Sequence, residues 1–420
     1  MSTIRGIKAR EILDGRGIPT IEIILWIQDG RSVITSVPTE LAYTQPKAKV
    51  LRDNDKQEFN GQGVKKAIKN INEVIAPQLV GLPVIQQGQI DQALLKIDNT
   101  ADKSKMGANS LLGVSMAVAK AGALSVGLPL YGYFQQKYNL TEYLHLPNCI
   151  YDLINGGDFG NDNLDFQEFH LIPASHIDYP NSIAMAATIR HKIRDVIESK
   201  GGSVCSGPLG GYLPRMNSNL DVFELILEAV KFTNYTFAQD IFFGFDAAAD
   251  SFAVDKNYSL RDQSDHLNSK KLLEFYEKIR NMYKAIYIED PFMQEDEKSW
   301  QTITEKLGDT TKIVGDIYLQ GDIEKINRAI KNKSANSISI KLMDRGTISE
   351  TIHTAKIAKD AGWQIVISQN SGETTDDFIA DLAVGIGADY AKFGPPNRGE
   401  RISKYNRLIR IFEELHQEAS

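Results

Sequence analysis

Cysteine and positive charge are both scarce in this sequence. Only Cys149 and Cys205 occur among 420 residues, so no disulfide framework is expected, and their separation lacks the clustered spacing of a zinc site. The 54 acidic residues outnumber the 47 lysines and arginines, and the missing basic run argues against a nucleic-acid partner. The charged amino terminus does not resemble an apolar secretory signal. These features favour a reducing cytoplasm.

Long uncharged hydrophobic runs are also missing. The strongest candidate, residues 111–131, contains Lys120 near its middle and Pro129 close to its end. A membrane span needs about 20 predominantly apolar residues, and a central lysine is costly there. We therefore predict a buried helix in this segment and no membrane partner.

The first part of the sequence predicts a small α+β domain over residues 1–135. Runs rich in β-branched and apolar residues predict three strands: Ile4–Leu13, Thr20–Ile27 and Ser32–Val37. Asp29 and Gly30 form a hairpin signal between the second and third strands. Helical spacing of apolar residues follows over 64–75, and two more helices are predicted near 86–97 and 109–125. A strand meander followed by helices indicates an α+β domain.

From about residue 150 the pattern changes to alternating strands and helices, and the second predicted domain spans residues 136–420. The short apolar runs are QEFHLIP, IFFGFDAA, AIYIEDP, KIVGD, SISIKL, QIVISQ and YAKFG. Helical segments lie between most of them, for example 296–307, 347–361 and 377–387. Strands that alternate with helices imply parallel pairing, and this many units favour a closed β/α barrel over an open sheet.

Charged residues stand at the ends of five successive predicted barrel strands: Asp246, Glu289, Asp316, Lys341 and Lys392. Functional groups of a β/α barrel gather at this end, so we expect these side chains to share one mouth. Carboxylate oxygens are the ligands that Mg²⁺ prefers. A lysine beside a divalent cation can have its pKa lowered and act as a base. The set suits removal of a proton next to a carboxylate.

The sequence resembles the enolase family along nearly its whole length. Matching segments occur in family order and at family spacing: EILDGRGIPTIE, SKMGANSLLGVSMAVAKAGALSVGLPLYGY, LINGGDFGNDNLDFQEF, YIEDPF, IVGD, SISIKL, NSGETTDDFIADLAVG and KYNRLIRIFEEL. The resemblance implies an α+β domain followed by an enolase-type, TIM-like barrel of eight strands with an unusual start. It also implies a homodimer, with contacts near Ile12, Leu13, Arg16 and the carboxy-terminal helix.

The resemblance also implies roles for individual residues. The family's magnesium ligands match Asp246, Glu289 and Asp316, and its catalytic base matches Lys341. Two further active-site residues of the family match Lys392 and Glu168. Mg²⁺ is therefore the expected cofactor, and a small carboxylate is the expected substrate.

Several other active-site positions depart from the family pattern. Leu209 stands where the family's general acid is expected, Phe159 replaces a histidine, and Ile317 replaces an acid. A positioned general acid contributes about 10²–10⁴-fold to a rate, so its loss should impair dehydration. The mobile loop has Ala42 in place of its serine and Glu40 and Thr44 in place of flanking glycines.

The residues expected to bind substrate are also altered. Gln369 and Asn370 stand where a His-Arg pair is expected before Ser371, which removes a bidentate phosphate clamp. Asp158 takes the place of a family glutamate. These four residues remain the predicted substrate-binding set, and the conceivable substitute acids are Glu40, Asp158 and Asp162. None of the seven histidines is predicted to be catalytic, and alternation should point His170 away from Phe169.

Three functional hypotheses remain open at this point. Retention of the metal triad and both lysines favours magnesium-dependent enolisation of a carboxylate other than 2-phosphoglycerate, for example a phosphoryl- or phosphonate-bearing acid. The second hypothesis is a catalytically inactive homologue with a binding or structural role. The third is a genuine but weak enolase in which other acids replace the missing ones.

Overall fold

The computed structural model of the protein describes residues 2–40, 48–160 and 164–417. Fourteen strands lie in these ranges: Ile4–Leu13, Pro19–Ile27, Ser32–Ser36, Asn148–Cys149, Tyr151–Asn155, Glu168–Pro173, Ile241–Asp246, Ala253–Val254, Asn257–Tyr258, Ala285–Glu289, Lys312–Gly315, Ser337–Ile340, Gln364–Ser368 and Tyr390–Lys392. The α-helices there are Lys65–Lys69, Ala76–Leu79, Gln87–Asp98, Ala108–Val126, Leu130–Tyr138, Tyr179–Ser199, Asn219–Val230, Ser269–Tyr283, Glu297–Leu307, Ile323–Asn332, Ile348–Asp360, Phe378–Gly385 and Gly399–Gln417. A π-helical turn, Asn70–Ile75, joins the first two of these helices.

The amino-terminal part has the predicted α+β organisation. Its three strands form an antiparallel meander, with Ile4 paired to Ile27 and Trp26 paired to Ser32. The helix Ala108–Val126 packs on this sheet at close range, since a Cβ on Gly113 would lie 2.6 Å from Ile23. The hydrophobic face of the sheet is thus covered by an apolar helix.

That helix is the segment that the sequence marks as a possible span. Within the described residues, Ala108–Val126 is the one helix whose length and composition would allow it to cross a membrane. Of its 18-residue apolar window, 78% is buried inside the fold. The buried helix predicted from the sequence is therefore present, and its apolar surface is used for packing.

The second part is an eight-stranded barrel. The segment 148–155 contains two short strands that together count as one strand of the barrel. Asn148–Cys149 pairs with Tyr390–Lys392, and Tyr151–Asn155 pairs with Glu168–Pro173, so the sheet closes. From Ile241–Asp246 onward, neighbouring strands pair in parallel, as predicted. The fold class expected from the sequence is confirmed.

The expectation of uniformly parallel pairing is wrong at the start of the barrel. Glu168–Pro173 runs antiparallel to both of its neighbours, Tyr151–Asn155 and Ile241–Asp246. The physical reason on the first side is the nature of the connection, because the link 156–167 contains a 3₁₀ turn but no α-helix among its described residues. A parallel connection needs a crossover, usually an α-helix, that carries the chain back to the start of the next strand. The resemblance had implied an unusual start, which this arrangement provides.

A buried ion pair joins the meander to the barrel. Asp376, in the loop before the helix Phe378–Gly385, accepts hydrogen bonds from Lys120 Nζ at 2.8 Å, Thr35 Oγ1 at 2.8 Å and Ser36 N at 2.8 Å. Burial raises the pKa of Asp376, but the Lys120 ammonium and these donors lower it by more, so the net pKa lies below the ordinary value. One carboxylate therefore links the sheet, its covering helix and the barrel.

We expect Asp376→Asn to lower the free energy of unfolding by about 2–4 kcal/mol at pH 7, because Lys120 loses its buried partner. A carboxylate with a depressed pKa stabilises the fold above its unfolded pKa of about 3.9, and this contribution is lost as pH falls through the lower folded pKa. Urea denaturation at pH 7 and near pH 3 should therefore show a smaller difference at low pH. As the control, Asp360→Asn breaks the exposed Lys356–Asp360 pair and should cost less than about 1 kcal/mol at pH 7.

Candidate active site

A cavity of about 500 Å³ opens at the carboxyl ends of the barrel strands. The described residues that line it include seven acids and two lysines: Glu40, Asp158, Glu168, Asp246, Asp250, Asp316, Asp344, Lys341 and Lys392. Four of the five predicted strand-end residues are in this set. The fifth, Glu289, does not line the cavity but accepts a hydrogen bond from Lys392, which does. The structure therefore brings all five together, as the strand-end argument predicts.

Lys392 is the buried cation at the floor of the cavity. Its Nζ lies 2.6 Å from Glu289 Oε2, 3.0 Å from Glu168 Oε2 and 3.7 Å from Asp246 Oδ2. These carboxylates converge because Glu168, Asp246 and Glu289 are register partners on three neighbouring strands. Burial lowers the pKa of Lys392, but the surrounding carboxylates raise it by more, so the ammonium is held charged.

Lys341 forms a second ion pair in the lining of the cavity. Its Nζ donates to Asp316 Oδ2 at 2.5 Å, and its backbone N–H donates to Asp344 Oδ2 at 3.2 Å. Burial lowers the pKa of Lys341, but Asp316, Glu40 and Asp344 raise it well above the ordinary value. The lysine is therefore protonated in this arrangement, and it can act as a base only when another cation offsets these carboxylates.

The carboxylates on the floor show the electrostatic cost of being buried together. Burial and the nearby Glu289 charge raise the pKa of Asp246 well above its usual range, and burial also raises the pKa of Glu289. Glu289 Oε1 is buried and has no hydrogen-bond partner among the described residues. An unpaired buried carboxylate oxygen is costly, and a divalent cation would satisfy it. The donor chemistry of the three predicted ligands therefore fits Mg²⁺.

The geometry of these ligands is not that of a closed metal site. Within residues 2–40, 48–160 and 164–417, no three His, Cys, Asp or Glu side chains are close enough together to hold a metal ion as they stand. Asp316 is paired with Lys341, whereas Glu289 is paired with Lys392. Binding of Mg²⁺ through Asp316 Oδ2 would require that oxygen to exchange its lysine contact for a metal contact, whereas Glu289 could offer its unpartnered Oε1. The predicted ligand set stays a prediction.

Three of the four residues predicted to bind substrate line the cavity: Asp158, Gln369 and Ser371. Asn370 is buried behind them and donates from Nδ2 to Glu40 Oε1, while Ser371 Oγ donates to Glu40 Oε2 at 3.0 Å. The buried Arg401 holds this segment from below, through Gln369 Oε1 and the carbonyl oxygens of Asn370 and Ser371.

The substituted positions place apolar side chains in the lining of the cavity. Phe159, Leu209 and Ile317 all line the cavity, and Leu209 is almost completely buried. The loop that carries Leu209 is held by two guanidinium groups, since Arg190 donates to Gly210 O at 3.3 Å and Arg398 donates to Gly207 O at 2.7 Å. A leucine without a transferable proton is therefore fixed in the lining of the cavity. Ala42, Thr44 and Asp162 lie outside the described residues.

Some groups near the site received no role from the sequence. Asp290 accepts from the N–H groups of Asp316 and Ile317 and so anchors the loop that follows the third acidic strand end. His170 is fully buried with Nε2 3.3 Å from Glu168 Oε2, and burial lowers its pKa, so it is held neutral. The expectation that it points away from Phe169 gave no hint of this contact. Residues i and i+2 of a strand share one face, which is the signal that could have paired His170 with Glu168.

Comparison with known protein families agrees with this architecture. A family model described as "Enolase, N-terminal domain" matches residues 4–134. A second, described as "Enolase, C-terminal TIM barrel domain", matches residues 143–420. Together the two models cover nearly the whole chain, including every described residue that lines the cavity.

Proposed function

The chain belongs to the enolase family, and we propose that it is a magnesium-dependent enzyme that removes a proton next to a substrate carboxylate. The supporting observation is that Lys341, Asp316, Asp246 and Glu289 meet at one cavity whose general-acid position is occupied by the buried Leu209. We further propose that the substrate differs from 2-phosphoglycerate. The equipment for enolisation is retained, whereas the group that would protonate a leaving hydroxyl is absent at that position.

In the proposed mechanism, Asp246, Glu289 and Asp316 would hold Mg²⁺. When bound, the ion supplies positive charge that polarises the substrate carboxylate and stabilises the negative charge developing on it. Lys341, once its pairing with Asp316 is released, would give its ammonium proton to solvent, and its neutral amine would then take the proton from the substrate α-carbon. The electron pair of the broken C–H bond passes into the enediolate. Lys392 is placed to hold the acids in position from below.

The proposal predicts a specific pair of results for the unmodified protein with Mg²⁺. We expect conversion of 2-phosphoglycerate to be about 10²–10⁴-fold slower than in Leu209→Glu, because Leu209 cannot protonate a departing hydroxyl. In deuterium oxide, we expect exchange of the α-proton in at least one member of a panel of three-carbon carboxylic acids, followed by NMR. Leu209→Glu provides the comparison for the first result. Ordinary turnover of 2-phosphoglycerate by the unmodified protein would instead support the weak-enolase hypothesis.

One observation favours a second candidate function, that of a binding or structural homologue without turnover. Asp316, Glu168 and Glu289 are already paired with the protein's own lysines, so the fold offsets part of their charge without a metal. Mg²⁺ binding without α-proton exchange in any acid of the panel would support this candidate.

A cytoplasmic location and a homodimer complete the proposal. Leu13 is 54% exposed at the end of the first strand, which is consistent with a contact region there. Arg16, expected in the same contact, donates instead to Asp14 Oδ2 and Thr39 Oγ1 of its own chain. Sedimentation of Leu13→Asp would test whether this edge joins two copies.

A further inference from the structure

A second cavity, of about 310 Å³, adjoins the candidate active site. The described residues that line it are Gln294, Glu295, Glu297, Tyr318, Lys325 and Arg328. Gln294 also lines the first cavity, so this one side chain belongs to the walls of both. A ligand that reaches past Gln294 would therefore occupy both cavities at once.

The Gln294 amide joins a charged group of the first cavity to a charged group of the second. Its Nε2 donates to Asp250 Oδ2 at 3.2 Å, and Asp250 lines the first cavity. Its Oε1 accepts from Lys325 Nζ at 3.0 Å, and Lys325 lines the second. The backbone N–H of Gln294 also donates to Asp250 Oδ1, at 3.3 Å. Because this last bond does not involve the amide, the main chain stays anchored when the amide turns away.

Lys325 is the cation that this arrangement offers to a ligand. Its side chain is partly buried, and its Nζ donates to two neutral amide oxygens, Gln294 Oε1 at 3.0 Å and Gln320 Oε1 at 3.4 Å. The described residues give this ammonium no carboxylate partner. Burial raises the pKa of Asp250, and Lys325 is among the groups that oppose this rise, so the two charges interact at a distance. An ammonium bound to neutral acceptors gains a stronger, charge-assisted hydrogen bond when an anionic oxygen replaces one of them.

The other charges of the second cavity leave Lys325 as its available cation. Arg328 Nε lies 3.7 Å from Glu297 Oε2, and Glu297 Oε1 accepts a hydrogen bond from Asn332. Glu295 is exposed, so solvent and salt screen its charge. The cavity therefore has two cations and two carboxylates, and one cation is already paired with one carboxylate.

The second cavity begins close to the predicted metal ligands. Asp316 and Ile317 line the first cavity, and the next residue, Tyr318, lines the second. The N–H groups of Asp316 and Tyr318 both donate to Asp290 Oδ1, at 3.0 Å and 3.3 Å, which fixes the segment between them. Two residues of backbone span at most about 7 Å. A linear acid whose carboxylate lies at the cation therefore needs only a short carbon chain to enter the second cavity.

We propose that the two cavities together bind one linear substrate with an anionic group, a carboxylate or a phosphonate, at the end remote from the reacting carboxylate. The inference rests on the proposed function, since it places the reacting carboxylate at the cation beside Lys341. The distal anion replaces Gln294 Oε1 as the acceptor of Lys325 Nζ, and the Gln294 amide turns aside. This assignment gives a binding group to the phosphonate-bearing acid expected from the sequence, and it adds dicarboxylates as candidates.

Isothermal titration in Mg²⁺ would compare acids that differ only at the distal end. The dicarboxylates are propanedioate, butanedioate, pentanedioate, hexanedioate and heptanedioate, each matched by a monocarboxylate and an ω-phosphono acid of equal length. The best dianion is expected to bind at least about tenfold more tightly than its matched monocarboxylate, and to be longer than propanedioate. The tighter of the two dianion series identifies the distal group. Equal binding of dianions and monocarboxylates at every length would overturn the proposal.

Variants of Lys325 make the comparison specific to this side chain. Lys325→Met removes the charge from a long side chain and should lower the preference for the dianion by about tenfold or more. Lys325→Arg keeps a cation and should retain a preference, which separates a loss of charge from a loss of folding. Lys331→Met removes an exposed lysine from the same helix, Ile323–Asn332, and should leave the ratio unchanged. An unchanged ratio in folded Lys325→Met would place the distal anion elsewhere and contradict the inference.

Replacing Gln294 examines the exchange of acceptors at Lys325. Gln294→Ala removes the amide that the distal anion displaces, so the dianion should bind at least as tightly as it binds the unmodified protein. The matched monocarboxylate does not reach Lys325, and its affinity should stay the same. The preference for the dianion is therefore kept or increased. Loss of the preference in Gln294→Ala would mean that the amide itself holds the ligand, and the proposed displacement would be wrong.

Failure of this inference can be told apart from failure of the proposed function. Deuterium exchange at the α-carbon reports on the function, whereas the ratio of dissociation constants reports on Lys325. Exchange in a dianion whose binding is insensitive to Lys325→Met would retain the function and reject the role of Lys325. A preference for the dianion that depends on Lys325, without exchange in any acid, would retain the binding site and reject the function.

Discussion

Replacing Lys341 by alanine is expected to lower the rate of α-proton exchange by about 10²–10⁴-fold, the usual contribution of a positioned acid or base. Lys341 is the lysine of the cavity wall whose Nζ contacts Asp316, a predicted ligand of the cation. Removal of its amine leaves no other described lysine at that wall, because Lys392 is held in the floor by Glu289 and Glu168. The measurement is NMR-detected exchange in deuterium oxide with saturating Mg²⁺.

The control for this loss is a lysine on the surface of the same barrel. Lys356→Ala removes an exposed ammonium from the helix Ile348–Asp360 and should leave the exchange rate unchanged. Thermal unfolding of both variants would show that Lys341→Ala is folded at the assay temperature. Exchange at the unmodified rate in folded Lys341→Ala would rule out Lys341 as the base.

Lys392→Met is expected to lower the free energy of unfolding by about 3–5 kcal/mol in the absence of Mg²⁺, since removing one partner of a buried ion pair leaves uncompensated charge. Three carboxylates surround this ammonium: Glu168, Asp246 and Glu289. A divalent cation at the same acids would offset their repulsion, so Mg²⁺ should recover a large part of the loss. Urea denaturation with and without Mg²⁺ measures both quantities.

Lys404 offers a matched buried lysine away from the predicted ligands. Its Nζ is 2.9 Å from Glu373 Oε2 and also donates to the carbonyl oxygens of Thr374 and Glu400. Lys404→Met should destabilise the protein by the same amount with and without Mg²⁺. Equal responses of the two variants to Mg²⁺ would mean that the cation does not bind at the floor acids, and the assignment of Asp246 and Glu289 as ligands would fail.

Lys392→Met and Lys341→Ala address different requirements of the same site. Lys392 compensates buried negative charge, and its loss is read in stability. Lys341 has its pKa raised by Asp316, Glu40 and Asp344 after burial has lowered it, and its loss is read in rate. A site with several buried carboxylates needs positive charge for folding as well as for chemistry. Lys341 and Lys392 supply the positive charge for folding, and the proposed cation would release Lys341 for the chemistry.

The sequence alone predicted the fold class because its signals are local. Alternation of apolar residues, the Asp29-Gly30 turn and the spacing of helices each involve residues a few positions apart, and the predicted helix 296–307 is observed as Glu297–Leu307. The charged strand ends were also predictable, since parallel strands of a barrel present the same end to the same mouth. Hence Asp246, Glu289, Asp316, Lys341 and Lys392 could be grouped without coordinates.

Only the tertiary structure decided which of these charges touch. The Glu40–Ser371 hydrogen bond joins residues 331 positions apart, and the pairing of Lys392 with Glu168 spans 224 positions. Such contacts depend on strand register and on how the meander docks on the barrel, and neither quantity has a local signature. The antiparallel start of the barrel is also set by long-range packing, as is the contact of Glu40 with Asn370. Local periodicity therefore determined the strands and helices and which strand ends share the mouth of the barrel. Long-range packing determined which charged neighbours each side chain has there.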